Sequence, residues 1–341
     1  MSTYVTSRWL TAQASARTLH QPAAEEILAM HTEPVLDHAS LRQFAWVVVN
    51  VTDLERSRSF YETMTPLSTR ARVTSRRQRF AGLGIDAGSF DGYLLSDDTA
   101  GACAVQLVQW HDPAPTGLTY RSHTNPGYFR MCFQSEHVAE RYEAVIDAGI
   151  EPLSPLRVPK GEHIVGRPVF CFRDPDGVVL EFVTLPGPDR LYHANCNTAD
   201  LQAAHHFYQD TLGLRSFLHS TTHEPEDHPF GPGGDLATYD AHLYCAPDGD
   251  PTGPPDFAFD VVESTYPGPV GHVYTATTNV GIVRVAIEVA SVDDAYEALG
   301  GRSASFVHAP PERWDLGPEL GSNKTLVIES PDGAPMELIE R

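Results

Sequence analysis

Two glutamates recur in matching surroundings. Glu181 lies in FRDPDGVVLEFV (172–183) and Glu337 in IESPDGAPMELI (328–339), each four residues beyond the glycine of a Pro-Asp-Gly turn. A carboxylate held on a strand behind such a turn can accept a proton or ligate a metal. A second candidate pair is His242 and Tyr244. They alternate in DAHLYC, so both point to one side of a strand, and if that side lines an interior they are candidates for general acid or base work. His205 and His206, on a helical segment beside Phe207-Tyr208, read instead as a solvent-facing pair. The run HEPEDHPFGPGGD (223–235) reads as a long connecting loop of the kind that forms lids, and its His223 and His228 could take up adventitious metal.

The elements that must position these residues are repeated. WVVVNVTDLERSRSFYETM (46–64) and HANCNTADLQAAHHFYQDTLG (193–213) each run from a strand into a capping aspartate, Asp53 or Asp200, and then a helix carrying Phe-Tyr. Looser copies start at Arg130 and Arg284 and close at glycine. Each start is followed by short strand-like runs, so the chain reads as four units of strand, helix and about three strands over 43–341. The offset between equivalent positions is nearly constant: 147 residues from Trp46 to His193, 154 from Gln106 to Asp260 and from Arg130 to Arg284, and 156 from Glu181 to Glu337. Whole-domain duplication accounts for that constancy, with the boundary in LPGPDR (185–190).

The paired helix motifs and the DPDG…E turns resemble the vicinal oxygen chelate superfamily, which includes glyoxalase I, fosfomycin-resistance proteins and extradiol dioxygenases. The resemblance implies an α+β fold of four βαβββ modules, paired into two domains of glyoxalase type whose sheets form open cups. The expected organisation is an N-terminal arm over 1–42 with a helix over 22–38, one domain over 43–186 and a second over 187–341. The resemblance also implies that the first and last strands of each module supply the floor of a cup. In the first half those positions hold Trp46, Gln106, Arg130 and Glu181, of which Glu181 alone is a good metal ligand; Trp46, Arg130 and Glu181 suit substrate binding instead. A partial extradiol signature runs through Gly161-Glu162-His163, Phe170 and Cys171, with cysteine where tyrosine is expected.

In the second half the equivalent positions are His193, Asp260, Arg284 and Glu337. On this resemblance His193, Asp260 and Glu337 would hold one divalent ion (Mn²⁺, Fe²⁺, Co²⁺, Ni²⁺, Zn²⁺ or Mg²⁺), while Arg284 stabilises an anionic substrate and Glu337 or His242 serves as base. Two readings stay open: that metal or substrate site, or a salt-bridge cluster of Arg284 with Glu337 and Asp260. The implied function is an enzyme of isomerase or lyase type acting on an enol, hydroxyketone or catechol-like compound. The alternatives are metal-free binding or sequestration of a small molecule, with Trp46 as a stacking surface, and an extradiol-type dioxygenase.

Composition narrows the partners. The 341 residues carry 45 acidic against 24 basic side chains, a formal charge of −21, which disfavours nucleic acid. Five scattered cysteines without CxxC spacing read as reduced thiols of a cytoplasmic protein. No apolar run nears the roughly 20 residues needed to span a membrane. The expected partner is a small molecule, with no nucleotide cofactor, and pairing into a homodimer is one expectation from the fold.

Overall fold

A computed structural model describes residues 34–36, 40–99, 101–120, 122–158, 167–222, 226–227, 236–247, 255–274, 276–301 and 305–341. Apart from residues 34–36, the helix expected over 22–38 lies outside them, as do His163, His223 and His228. Residues 34–36 are not helical, and the amides of Val35 and Leu36 donate to the carbonyls of Asp210 and Thr211 at 3.1 and 3.0 Å.

The first module comprises β1 (Leu41–Asn50), α1 (Leu54–Met64), β2 (Ser68–Phe80), β3 (Ile85–Ser96) and β4 (Ala104–Asp112). The second comprises β5 (Gly127–Ser135), α2 (Val138–Asp147), β6 (Val169–Arg173) and β7 (Val179–Thr184), with a further strand reduced to a bridge between Arg157 and Val169. In the third, β8 (Arg190–Thr198) leads into α3 (Leu201–His205), a π-helical turn over His206–Thr211, β9 (Arg215–Thr221), the short β10 (Glu226–Asp227), β11 (Leu236–Cys245) and β12 (Ala258–Tyr266). The fourth holds β13 (Gly281–Val289), α4 (Val292–Ala298), β14 (Glu312–Asp315), β15 (Ser322–Glu329) and β16 (Pro335–Glu340). Asp53 and Asp200 cap α1 and α3 by accepting from the amides of Arg56 and Ala203 at 3.0 and 2.9 Å.

The strands form two sheets, and the sheets do not follow the sequence repeat. One runs β14-β15-β16-β13-β1-β4-β3-β2, joining the first and fourth modules through an antiparallel seam with Val47 opposite Val285. The other runs β10-β11-β12-β8-β5-β7-β6, with β9 on β11, and joins the second and third modules with Met131 opposite Ala194. The seam strands alternate between their bulges, among them those at Phe44/Trp46 on β1 and at Tyr128/Arg130 on β5. On β1, Val47 and Val49 enter the large core shared with the helices, whereas Trp46 and Val48 face the other side.

The repeated turns link consecutive modules instead. Asp176 accepts from Thr52 Oγ1 at 2.5 Å, from Arg56 Nη2 at 2.7 Å and from Ser57 Oγ at 3.3 Å at the start of α1. Asp332 likewise accepts from Thr198 Oγ1 at 2.5 Å and from the Ala199 amide at 3.0 Å before α3. The Pro-Asp-Gly turn is thus a docking device: it fixes each even-numbered module to the helix start of the one before it.

Candidate functional site

The eight floor residues are divided between two cups in a different combination from the one sequence order suggests. Trp46 and Gln106 share a sheet with Arg284 and Glu337; Arg130 and Glu181 share the other with His193 and Asp260. The expected convergence of His193, Asp260 and Glu337 is therefore corrected, because Glu337 stands on β16 of the opposite sheet. Arg284 is likewise not beside Asp260.

Strand register shows how the two floors differ. In the sheet of the second and third modules, Cys171, Glu181, Cys132, His193 and Ala258 are paired in one row, and Val179, Arg130, Asn195, Asp260 and Leu243 in the next row on the same face. In the other sheet the matching rows are Val327, Glu337, Ala286, Trp46 and Ala104, then Arg284, Val48, Gln106 and Leu94. Arginine and glutamate are common to both floors. Where one has Cys132, His193, Asn195 and Asp260, the other has Ala286, Trp46, Val48 and Gln106.

The floor of the first and fourth modules is filled from within. Phe80, Phe90, Trp110 and Trp314 pack over it, with Phe80 edge-on to Trp110 and Trp314 at 5.4 and 5.2 Å between ring centroids. Glu337 is bonded to Arg284 Nε and accepts from Trp46 Nε1 at 3.4 Å, and Arg341 covers the Trp46 ring at 4.9 Å. Trp46 is 2% exposed, so it is a packed core residue rather than a stacking surface for a ligand.

The other floor is polar. Arg130 Nε lies 2.9 Å from Glu181 Oε2, and its Nη2 lies 3.0 Å from Asp260 Oδ2. Burial opposes the Arg130 charge, but the carboxylates of Glu181 and Asp260 outweigh it and hold the guanidinium protonated. His193 Nδ1 is 3.8 Å from Asp260 Oδ2, and Asn195 Nδ2 donates to the Asp260 side chain at 3.4 Å. Asn195 Oδ1 is buried and accepts no hydrogen bond among the described residues. Beside them, burial pushes the Cys132 thiol well up, and the charge of Glu181 adds to the shift.

A divalent metal fits this floor. Ligating atoms of Cys132, Glu181 and His193 all lie within 4.8 Å of one another. Two donors at bond lengths of about 2.0–2.3 Å can stand up to roughly 4.6 Å apart, so small side-chain adjustments bring them to a common ion. Imidazole and carboxylate suit a transition ion, with Asp260 and Asn195 able to orient them.

His242 and Tyr244 are not in either cup. Leu243 pairs with Asp260 and faces the floor, so strand alternation turns His242 and Tyr244 to the helix side of the sheet. There Tyr244 shares a hydrogen bond with His205 Nδ1 at 2.9 Å, and the His242 ring stacks between His205 and His219, 4.3 Å from each. Burial, then His205 and His219, pull His242 down to about 3. His205 is accordingly a packed residue; His206 alone of the expected pair is exposed, bonded to Asp210 at 2.9 Å.

Sequence reasoning missed Cys132 and Asn195. Each stands two residues beyond a floor residue, Arg130 or His193, so period-two alternation was the available signal.

A family profile described as the Glyoxalase/Bleomycin resistance protein/Dioxygenase superfamily matches residues 43–182 and again 190–338. Glyoxalase I from Zea mays is similar in structure, with a TM-score of 0.64 and 16% identity over 87% of this chain and 92% of that one. A Bacillus subtilis protein named as a candidate dioxygenase has a TM-score of 0.55 and 11% identity over 88% of this chain and 86% of that one. A search of curated proteins found no match. With both repeats matched, the chain belongs to the glyoxalase, bleomycin resistance protein and dioxygenase superfamily.

Proposed function

We propose that the cup shared by the second and third modules is a catalytic site for proton transfer on a small oxygenated compound, an enol, α-hydroxyketone or catechol-like molecule, with isomerase or lyase outcome. The observation that carries this reading is the gathering of Arg130, Glu181, His193 and Asp260 on one floor while the equivalent floor is filled with aromatic side chains. His193 and Glu181 would hold a divalent ion, which supplies Lewis acidity toward a substrate oxygen when bound. Arg130 offsets the negative charge that develops on oxygen as the proton leaves. Asp260, held by Arg130 and Asn195, is the carboxylate within reach for that proton, and Asn195 Oδ1 is an acceptor for a substrate hydroxyl.

The test is exchange of the carbon-bound protons of hydroxyacetone in D₂O, followed by NMR with protein loaded with Zn²⁺ or Co²⁺. Exchange above the protein-free rate is expected, falling about 10²–10⁴-fold in Asp260→Asn. Exchange that is absent, or equal in Asp260→Asn, would overturn the proton-transfer assignment. Metal-free binding is the second reading, favoured by the bonds from Arg130 to both carboxylates. Wild-type protein that takes up no divalent ion would select it.

A further inference from the structure

Building on that reading of the floor, we infer that Cys132 is a thiolate ligand of the bound metal, making a sulfur, nitrogen and oxygen site with His193 and Glu181 that selects Zn²⁺ or Co²⁺ over Mg²⁺ and Mn²⁺. Three observations converge on it. The first is register: Cys132 on β5 is paired directly with Glu181 on β7 and with His193 on β8, so the three side chains leave the same face from adjacent strands. The second is distance, since their ligating atoms form a triangle with no side above 4.8 Å.

The third is charge. Arg130 with Glu181 and Asp260 carries a formal charge of minus one on a floor whose side chains are at most 14% exposed. A divalent ion that displaces the Cys132 proton to solvent brings the cluster to zero, because the metal adds two positive charges and the thiolate one negative. The cup of the first and fourth modules needs no such ion. There Arg284 and Glu337 already balance, glutamine replaces Asp260, and alanine replaces Cys132 in register. Replacement at both positions together leaves the Arg284–Glu337 pair balanced and that floor without a sulfur donor. A soft thiolate shifts preference away from Mg²⁺ and Mn²⁺, which favour oxygen donors.

Full-length protein stripped with a chelator and titrated anaerobically with Co²⁺ tests this. About one equivalent is expected to bind, with visible ligand-field bands and an intense near-ultraviolet thiolate-to-cobalt band. Cys132→Ser should lose the near-ultraviolet band. Cys171→Ser, altered on the far side of Glu181 in the same row, should keep it, and a large excess of Mg²⁺ should not displace the ion. Ligand-field bands without the thiolate band in wild type would overturn the inference while leaving metal-assisted function intact. A band that survives Cys132→Ser would also overturn it. Absence of any Co²⁺ binding would sink both the inference and the metal in the proposed function. If Cys132→Ser does not fold, X-ray absorption of the wild-type zinc form decides: one sulfur at about 2.3 Å is expected, and a shell of nitrogen and oxygen alone refutes it.

Discussion

Replacing Arg284 by methionine separates a structural arginine–glutamate pair from a functional one. Glu337 is 2% exposed and among the described residues has two side-chain partners, Arg284 Nε and the more distant Trp46 Nε1 at 3.4 Å. Arg284→Met leaves that carboxylate buried with only the indole donor. Breaking a buried pair from one side costs about 3–5 kcal/mol. With a urea slope of about 1–3 kcal/mol/M, the unfolding midpoint should fall by roughly 1–5 M. The double variant Arg284→Met, Glu337→Met places two apolar side chains among Trp46, Val48, Val327 and Ile339, and should return to within about 1 kcal/mol of wild type, because apolar replacement of a whole buried pair is often neutral or stabilising. Urea titrations followed by fluorescence and circular dichroism measure both. Trp46, Trp110 and Trp314, three of the four tryptophans, line this cup, so fluorescence reports on it directly. A single variant that loses less than about 1 kcal/mol, or a double variant that stays as unstable as the single one, would refute the claim that the pair is structural.

Two further outcomes concern pH. Burial raises Asp174, which accepts from Tyr61 at 3.0 Å, to about 6. A carboxyl held above its unfolded value of 3.8 contributes stability that is fully present below that value and is lost as pH rises through about 6. Wild type should lose about 2–3 kcal/mol between pH 4 and 7 from this group, and Asp174→Asn should flatten that part of a urea-midpoint profile; an unchanged profile would contradict it. His242 has the opposite sign: held at about 3, it stays neutral in the fold, so its contribution is present above about 6.5 and lost as pH falls toward 3. His242→Gln, which can keep the bond to Ser216, should move the acid-unfolding midpoint to lower pH, and no movement would remove the stack from the account of acid sensitivity.

Much of the fold was legible in local patterns. Alternation in the first strands, the capping Asp53 and Asp200, and the repeated turns before Glu181 and Glu337 each act within a dozen residues and leave direct marks in the sequence. The floor positions were legible for the same reason, since equal offsets place equivalent residues on equivalent strands. His242 and Tyr244 show the limit: their shared side followed from period two, but which side faces the floor depended on the pairing of Leu243 with Asp260.

The sequence by itself determined that four like modules exist, which strands bear the floor residues, and that arginine and glutamate recur on them. Only the tertiary structure decided which modules share a sheet. Two like modules carry the same edge chemistry, so β1 could in principle pair with β5 or with β13, and the local signals are identical in both cases. Long-range burial selects β1 with β13 and β5 with β8. That choice sends Glu337 to an aromatic-filled cup and brings Glu181 and Cys132 to His193, so the chemistry of each floor was set by strand partnership across the chain rather than by proximity along it.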